Sequence, residues 1–113
     1  MDFVIILQIF AAIATVMTGL LAFTKPSATY GFIGLNADGA RGVSEIRSIF
    51  GGMFIALGIA PFIIGATAYQ VLGIAYLGIA LARAISIIFD KSYARSNLIS
   101  LVVEIVFGMI LVL

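Results

Sequence analysis

The sequence predicts an all-α protein, an integral membrane four-helix transmembrane bundle, on two observations. Hydrophobic residues make up 64% of the 113 residues and charged residues 10%, whereas a soluble domain averages about 45–50% apolar and about 25% charged residues. Long apolar runs also recur four times, separated by polar or turn-forming residues. A soluble fold of this length cannot bury so much apolar surface, so the lipid bilayer is the expected solvent.

Each apolar run is long enough to cross a bilayer, which takes about 20 helical residues. The predicted helices span residues of about 3–23, 44–65, 69–89 and 98–113. Helices are preferred over strands because each run is continuous and because lipid requires every backbone polar group to bond internally. Pro26 follows the first helix, Asp90 stops the third, and Pro61 should kink the second. The fourth helix is the shortest.

The connections indicate one transmembrane domain over residues 1–113. Only the first connection, residues 25–43, is long, and it contains the turn formers Pro26, Asn36 and Gly39. The other two connections are short, which makes helices adjacent in sequence antiparallel neighbours in space.

The basic side chains predict the orientation of the bundle. All of them fall on or near the face reached by the end of the first helix: Lys25, Arg41, Arg47, Arg83, Lys91 and Arg95. The positive-inside rule makes that face cytoplasmic. We therefore expect a multi-pass protein of a bacterial cytoplasmic (inner) membrane with both termini outside.

The composition also argues against several classes of protein. The chain has no cysteine and no histidine, which removes thiolate chemistry and the commonest metal ligand and general base. We expect no catalytic residue, no metal site and no cofactor, and hence no enzyme. The net charge of +1 gives no reason to expect a nucleic-acid partner.

Four charged residues lie within or beside the apolar runs and are predicted to form an intramembrane network. Glu45 and Arg47 open the second helix, Arg83 lies seven residues before Asp90 in the third, and Glu104 lies at a similar depth in the fourth. An unpaired charge in mid-membrane costs about 2.5–3.5 kcal/mol on insertion scales, so pairing is expected. Two interpretations remain open. The network is a structural clasp, or it is a binding or proton-coupled site in which Glu104 titrates beside Tyr76 and Arg83.

Polar and small residues at helical spacing complete the candidate site. The predicted pocket lining consists of Tyr76, Ser48, Ser86, Ser100 and Gln8. The predicted helix-packing residues are Gly51, Gly52, Gly58, Gly65, Gly73, Gly78 and Gly108. Small residues let helices approach closely in lipid, and polar side chains supply interhelical hydrogen bonds.

Three blocks of the sequence, "SEIRSIFGG", "ALARAISIIFD" and the Glu of the last helix, resemble a bacterial family of small four-helix membrane proteins with a domain of unknown function (number 4345). The residues that carry the resemblance are Glu45, Arg47, Gly51, Gly52, Arg83, Ser86, Asp90 and Glu104. Ile49 departs from the family pattern where an aromatic residue is usual, and Lys91 departs where Gly often follows the Asp. The resemblance implies a four-helix membrane fold and brings no established activity.

Two functional classes follow from these expectations. In the first, the protein is a non-catalytic accessory or structural subunit whose partners are the lipid bilayer and either further copies of itself, as a homo-oligomer, or a larger membrane complex. In the second, it is a small transporter or channel for a polar or ionic solute that uses the charged cluster. A lipid or quinone pocket lined by Tyr76, Phe50 and Phe54 is a third option.

Overall fold

The computed structural model describes residues 2–113 as an all-α bundle. Its four long helices are α1 (Phe3–Thr24), α2 (Gly39–Ile64), α3 (Ala66–Asp90) and α4 (Arg95–Val112). All four are long and apolar enough to cross a membrane. The predicted all-α transmembrane bundle is confirmed, since no strand occurs among residues 2–113.

Local signals explain where α1 and α3 begin and end. The Asp2 carboxylate accepts the backbone N–H of Val4 at 3.2 Å and so caps α1. At the other end of α1, Lys25 adopts a non-helical conformation just before Pro26. Lys91 terminates α3 with φ = 53°, the left-handed conformation that a helix C-terminus usually assigns to glycine. The backbone after Asp90 therefore keeps the turn that a glycine would make, although a lysine stands there.

Helix α2 begins at Gly39, before the predicted start at residue 44, and includes part of the long connection. Residues Ile46–Met53 form a π-helical segment between two α-helical stretches. Pro61 lies inside the last turn of α2, and the chain reverses at Gly65 with φ = 88°. Because a side chain is strained at that φ, Gly65 has a turn role and lies outside the helix contacts.

The remaining long connection contains a short 3-10 turn, Pro26–Thr29, and one helical turn, Tyr30–Ile33. The Tyr30–Ile33 turn packs against α4. The most extensive helix pairs are α1 with α2, which the long connection joins, and α3 with α4, which a short connection joins as antiparallel neighbours. Contacts of α1 with α4 and of α2 with α3 join the two pairs.

Glycines make the close helix contacts. A Cβ atom at Gly58 would lie 2.8 Å from the Ala12 carbonyl oxygen of α1, and one at Gly51 would lie 3.0 Å from the Phe23 Cβ. Between α3 and α4, a Cβ at Gly73 would lie 2.8 Å from the Leu111 Cβ, and one at Gly108 would lie 2.6 Å from a Leu77 methyl carbon. Backbones approach this closely in lipid only where side chains are absent.

Besides Gly65, two more of the glycines predicted for helix packing meet no other helix within residues 2–113. A Cβ at Gly78 would have nothing within 4 Å, and one at Gly52 would meet only the Arg47 carbonyl of its own helix, at 3.9 Å. Gly19 was not among the predicted packing residues, yet a Cβ there would lie 2.8 Å from the Gly51 carbonyl oxygen. The α1–α2 contact therefore uses glycine on both helices.

One small cluster of buried residues in mutual contact is shared by α1, α3 and α4. Its members are Ala11, Ala12, Leu72, Tyr76 and Leu111. Large apolar side chains such as Ile74, Leu81 and Ile88 of α3 point outward and are exposed. Such a surface is stable in hydrocarbon and would be costly in water, in agreement with a bilayer as solvent.

Candidate functional site

Arg83 and Glu104 form a bidentate ion pair between α3 and α4. The Arg83 Nε donates to Glu104 Oε1 at 2.8 Å, and the Nη2 donates to Oε2 at 2.7 Å. The two helices are antiparallel neighbours, which brings residues at equal distances from the α3–α4 connection to the same level. Two parallel N–H···O bonds between charged groups are among the strongest side-chain contacts in proteins.

Asn97 links the ion pair to the α3–α4 connection. Its side-chain oxygen accepts the Arg83 Nη1 at 2.7 Å. Its amide nitrogen donates to the Ser92 carbonyl at 3.0 Å and to the Ser92 hydroxyl at 3.1 Å. The guanidinium therefore contacts two positions of α4, and the same asparagine anchors the short turn between the helices.

The pair is electrically neutral and hydrogen-bonded on both sides. The Glu104 side chain is only 10% exposed and the Arg83 side chain 28%. Within residues 2–113, every fully buried side-chain nitrogen or oxygen has a hydrogen-bond partner. Pairing lowers the cost of placing the two charges at this depth. Removing either one would leave the other buried without a partner.

Glu45 and Arg47 do not join this pair. Because α2 starts at Gly39, Glu45 lies one turn after Arg41 on the same helix face, and the two form an exposed ion pair at 3.2 Å. Their side chains are 56% and 86% exposed, respectively. Arg47 is also exposed. The predicted four-residue network is therefore corrected to the two residues Arg83 and Glu104 with Asn97, because the earlier helix start gives Glu45 a local partner.

The predicted lining residues fall at separate places. Gln8 donates to the Ile110 carbonyl at 3.1 Å and ties α1 to α4. Ser86 bonds Asp90 on its own helix at 2.7 Å. Ser48 is exposed on α2, and Ser100 is half-buried on α4. These side chains do not converge on one polar chamber, which corrects the expectation of a common lining.

Tyr76 meets a residue that the predicted site left out. The hydroxyls of Tyr76 and Thr15 are hydrogen-bonded across α3 and α1. Thr15 also bonds the Ala11 carbonyl at 2.8 Å, which uses its only proton, so Tyr76 is the donor to Thr15. Asn97 is the second residue missed. The sequence contains a signal for each of them. Thr15 lies seven residues after Gln8 and Asn97 seven residues before Glu104, a spacing that places both members of each pair on one helix face.

Two cavities border these polar groups. The first, of about 180 Å³, lies among α1, α2 and α3, has an almost wholly apolar wall, and is lined in part by Phe54, Leu72 and Tyr76. Phe50, expected to line a pocket with Tyr76 and Phe54, is not among its lining residues. The second, of about 370 Å³, is more open and includes Arg83 and Asn97 in its wall.

The carboxylates do not assemble into a metal site. Among the described residues, no three Asp or Glu side chains come together as ligands would. Asp90 bonds Ser86, Glu104 bonds Arg83, and Glu45 bonds Arg41, so these three carboxylates have separate partners.

Comparison with known proteins supports a family assignment. No curated protein and no solved structure matches the chain significantly. A family model described as a domain of unknown function (DUF4345) matches residues 3–113. The match covers all four helices together with the Arg83–Glu104 pair, and the protein belongs to this family.

Proposed function

We propose that this protein is a non-catalytic structural or accessory subunit of a bacterial inner membrane, in which Arg83 and Glu104 are a clasp between α3 and α4. The observation that carries the proposal is that the two charges neutralise each other within the chain. Both Glu104 oxygens accept from the guanidinium, and Asn97 accepts a third N–H. A transport or proton-relay site needs a charged group that exchanges partners with a solute. Here each charge already has its partner.

An uncovered small-residue face of α2 supports self-assembly. Ser48, Gly52, Ala56 and Ala60 recur every four residues, and the first three are exposed. Glycine destabilises a helix by about 1 kcal/mol relative to alanine. At Gly51 and Gly58 the close contact with α1 explains why glycine is present. Gly52 has no such neighbour among residues 2–113. Because small residues at this spacing favour close helix association in lipid, a second copy of α2 is the partner that we infer.

Cysteine cross-linking tests self-assembly directly, because the chain contains no cysteine. We expect Ala56→Cys to form disulfide-linked dimers in oxidised native membranes, since a disulfide requires Cα atoms about 4.4–6.8 Å apart. Val102→Cys is the matched control, because Val102 lies on an exposed apolar face of α4 and is 60% exposed. Equal cross-linking of the two variants would reflect random collision and contradict the proposed interface. Failure of both Ala56→Cys and Gly52→Cys to cross-link would contradict it as well.

A transporter or channel is the second candidate, and one observation favours it. The cavity of about 370 Å³ brings Arg83, Ser86 and Asn97 to an open surface. A polar solute entering there would contact the guanidinium directly.

Flux through reconstituted vesicles separates the two candidates. We expect the wild-type protein to carry no proton or ion flux. Flux that is present in the wild type and abolished by Glu104→Gln would favour transport and contradict the structural role. Ser86→Leu is the matched control for the cavity, because Ser86 lines it but bonds only Asp90 among the described side chains. A transporter should lose flux in this variant without losing the clasp.

A further inference from the structure

The two cavities lie along one face of α3, and Ile79 lines both of them. The apolar cavity is lined on this helix by Leu72, Ala75, Tyr76 and Ile79. The open cavity continues from Ile79 to Arg83 and Ser86. These positions recur at three- and four-residue intervals, which places them on the same side of the helix. The two cavities, which share Ile79 as a wall residue, are from here on together called the α3 cleft.

The α3 cleft has the polarity of a bilayer lipid. Leu72 to Ser86 spans roughly 21 Å of helix at about 1.5 Å per residue. Its polar end lies near Asp90, where α3 ends, and its apolar end at Leu72 lies beyond the middle of the helix, within its first third. Half of the hydrocarbon core is about 15 Å thick. The cleft is therefore somewhat longer than one hydrocarbon leaflet, and its polarity runs in the direction of a lipid whose headgroup lies at the membrane surface and whose chain points inward.

The apolar end of the cleft suits a hydrocarbon chain. An apolar cavity of about 150 Å³ remains dry and takes a benzene-sized ligand, and the cavity here is about 180 Å³. The Tyr76 hydroxyl donates its hydrogen bond to the Thr15 oxygen, and the Thr15 hydroxyl donates its own to the Ala11 carbonyl. Neither hydroxyl is left to donate to a ligand carbonyl. A quinone ring would find no donor there, whereas an acyl chain needs none.

The polar end of the cleft suits an oxygen acceptor. A guanidinium has five N–H donors, and Glu104 and Asn97 take three of those of Arg83. Two donors remain on a side chain that is 28% exposed and borders the open cavity. Phosphate and ester oxygens are pure acceptors and match these two N–H groups.

We propose that the α3 cleft binds one phospholipid of the surrounding bilayer, with an acyl chain against Phe54 and Leu72 and headgroup or ester oxygens on the free N–H groups of Arg83. The site is independent of the proposed self-assembly. Its wall on α2 is formed by Met53, Phe54 and Leu57, whereas Gly52 and Ala56 are not among its lining residues.

Lipid retention by the purified full-length protein tests the proposal. Ala75→Phe fills the apolar cavity, whereas Ile74→Phe adds the same ring at the adjacent position, which is 64% exposed and does not line it. Native mass spectrometry with added phosphatidylglycerol should show one retained lipid for the wild type and for Ile74→Phe. The added ring would occupy the space of the acyl chain, so Ala75→Phe should weaken retention by about tenfold or more.

A second cavity variant and two competing ligands complete the test. Met53→Phe narrows the same cavity from α2 and should weaken retention even if Ala75→Phe does not fold. Inorganic phosphate alone should neither raise the unfolding temperature nor displace the lipid, and a short-chain quinone should not compete. Equal retention by the cavity-filling variants and Ile74→Phe would overturn the proposal. Displacement by phosphate would assign the site to a free anion, and displacement by the quinone would assign it to a redox carrier, and either result would overturn it too.

Discussion

Replacing Glu104 with leucine is expected to lower the free energy of unfolding by about 3–5 kcal/mol, the usual result of removing one partner of a buried ion pair. The guanidinium of Arg83 would lose two charge-assisted hydrogen bonds and keep only Asn97. Glu104→Gln should cost less, because the amide oxygen still accepts one N–H, but it leaves the positive charge uncompensated. Equilibrium unfolding in mixed detergent micelles measures both variants.

A matched carboxylate and a double variant control this result. Glu45→Gln removes the acidic partner of an exposed pair and should change stability by less than about 1 kcal/mol. Arg83→Met combined with Glu104→Leu removes both charges and should recover much of the stability lost in Glu104→Leu alone. If Glu104→Leu were as stable as Glu45→Gln, the clasp would have no structural role.

Substituting alanine for Gly58 is expected to destabilise the bundle by about 1–3 kcal/mol, the typical cost of overfilling a packed contact. The added Cβ would lie 2.6 Å from a Val16 methyl carbon and 2.8 Å from the Ala12 carbonyl oxygen. The carbonyl belongs to the backbone of α1 and can move only if the helices separate. The same micelle titration, with helix content followed by circular dichroism, measures the loss.

Gly78→Ala is the control with the opposite expected sign. A Cβ at Gly78 meets nothing within 4 Å, and alanine is better than glycine in a helix interior by about 1 kcal/mol. Gly78→Ala should therefore leave stability unchanged or raise it by up to about that amount. Destabilisation of Gly78→Ala to the same extent as Gly58→Ala would show that glycine matters here for reasons other than the α1–α2 contact.

The number and placement of the long helices could be predicted from the sequence because lipid imposes a local rule. Every spanning segment must be a continuous apolar helix, and the breaks at Pro26, Gly65 and Lys91 each have a local conformational cause. The start of α2 could not be predicted, because residues 39–43 include two glycines and Arg41 and therefore do not continue the apolar run. The π-helical segment at Ile46–Met53 also has no signal in apolar periodicity.

The candidate site was only partly predictable for a similar reason. Arg83 and Glu104 could be paired from sequence, since a short connection makes α3 and α4 antiparallel and puts both residues at one depth. Depth alone also placed Glu45 and Arg47 near them, but the rotation of α2 about its axis turns Glu45 to the surface, where Arg41 of the same helix is its partner. That rotation follows from the contacts of Gly51 and Gly58 with α1.

The sequence by itself therefore determined the solvent of this protein, the helices that meet it and the antiparallel order of neighbouring helices, because these depend on composition and on connection length. Only the tertiary structure decided which polar groups meet, which glycines are covered and where the α3 cleft opens. These depend on how each helix is rotated against its neighbours. In a bundle with apolar residues on all sides, the apolar pattern does not specify that rotation. The rotation is instead specified by close packing at a few small residues.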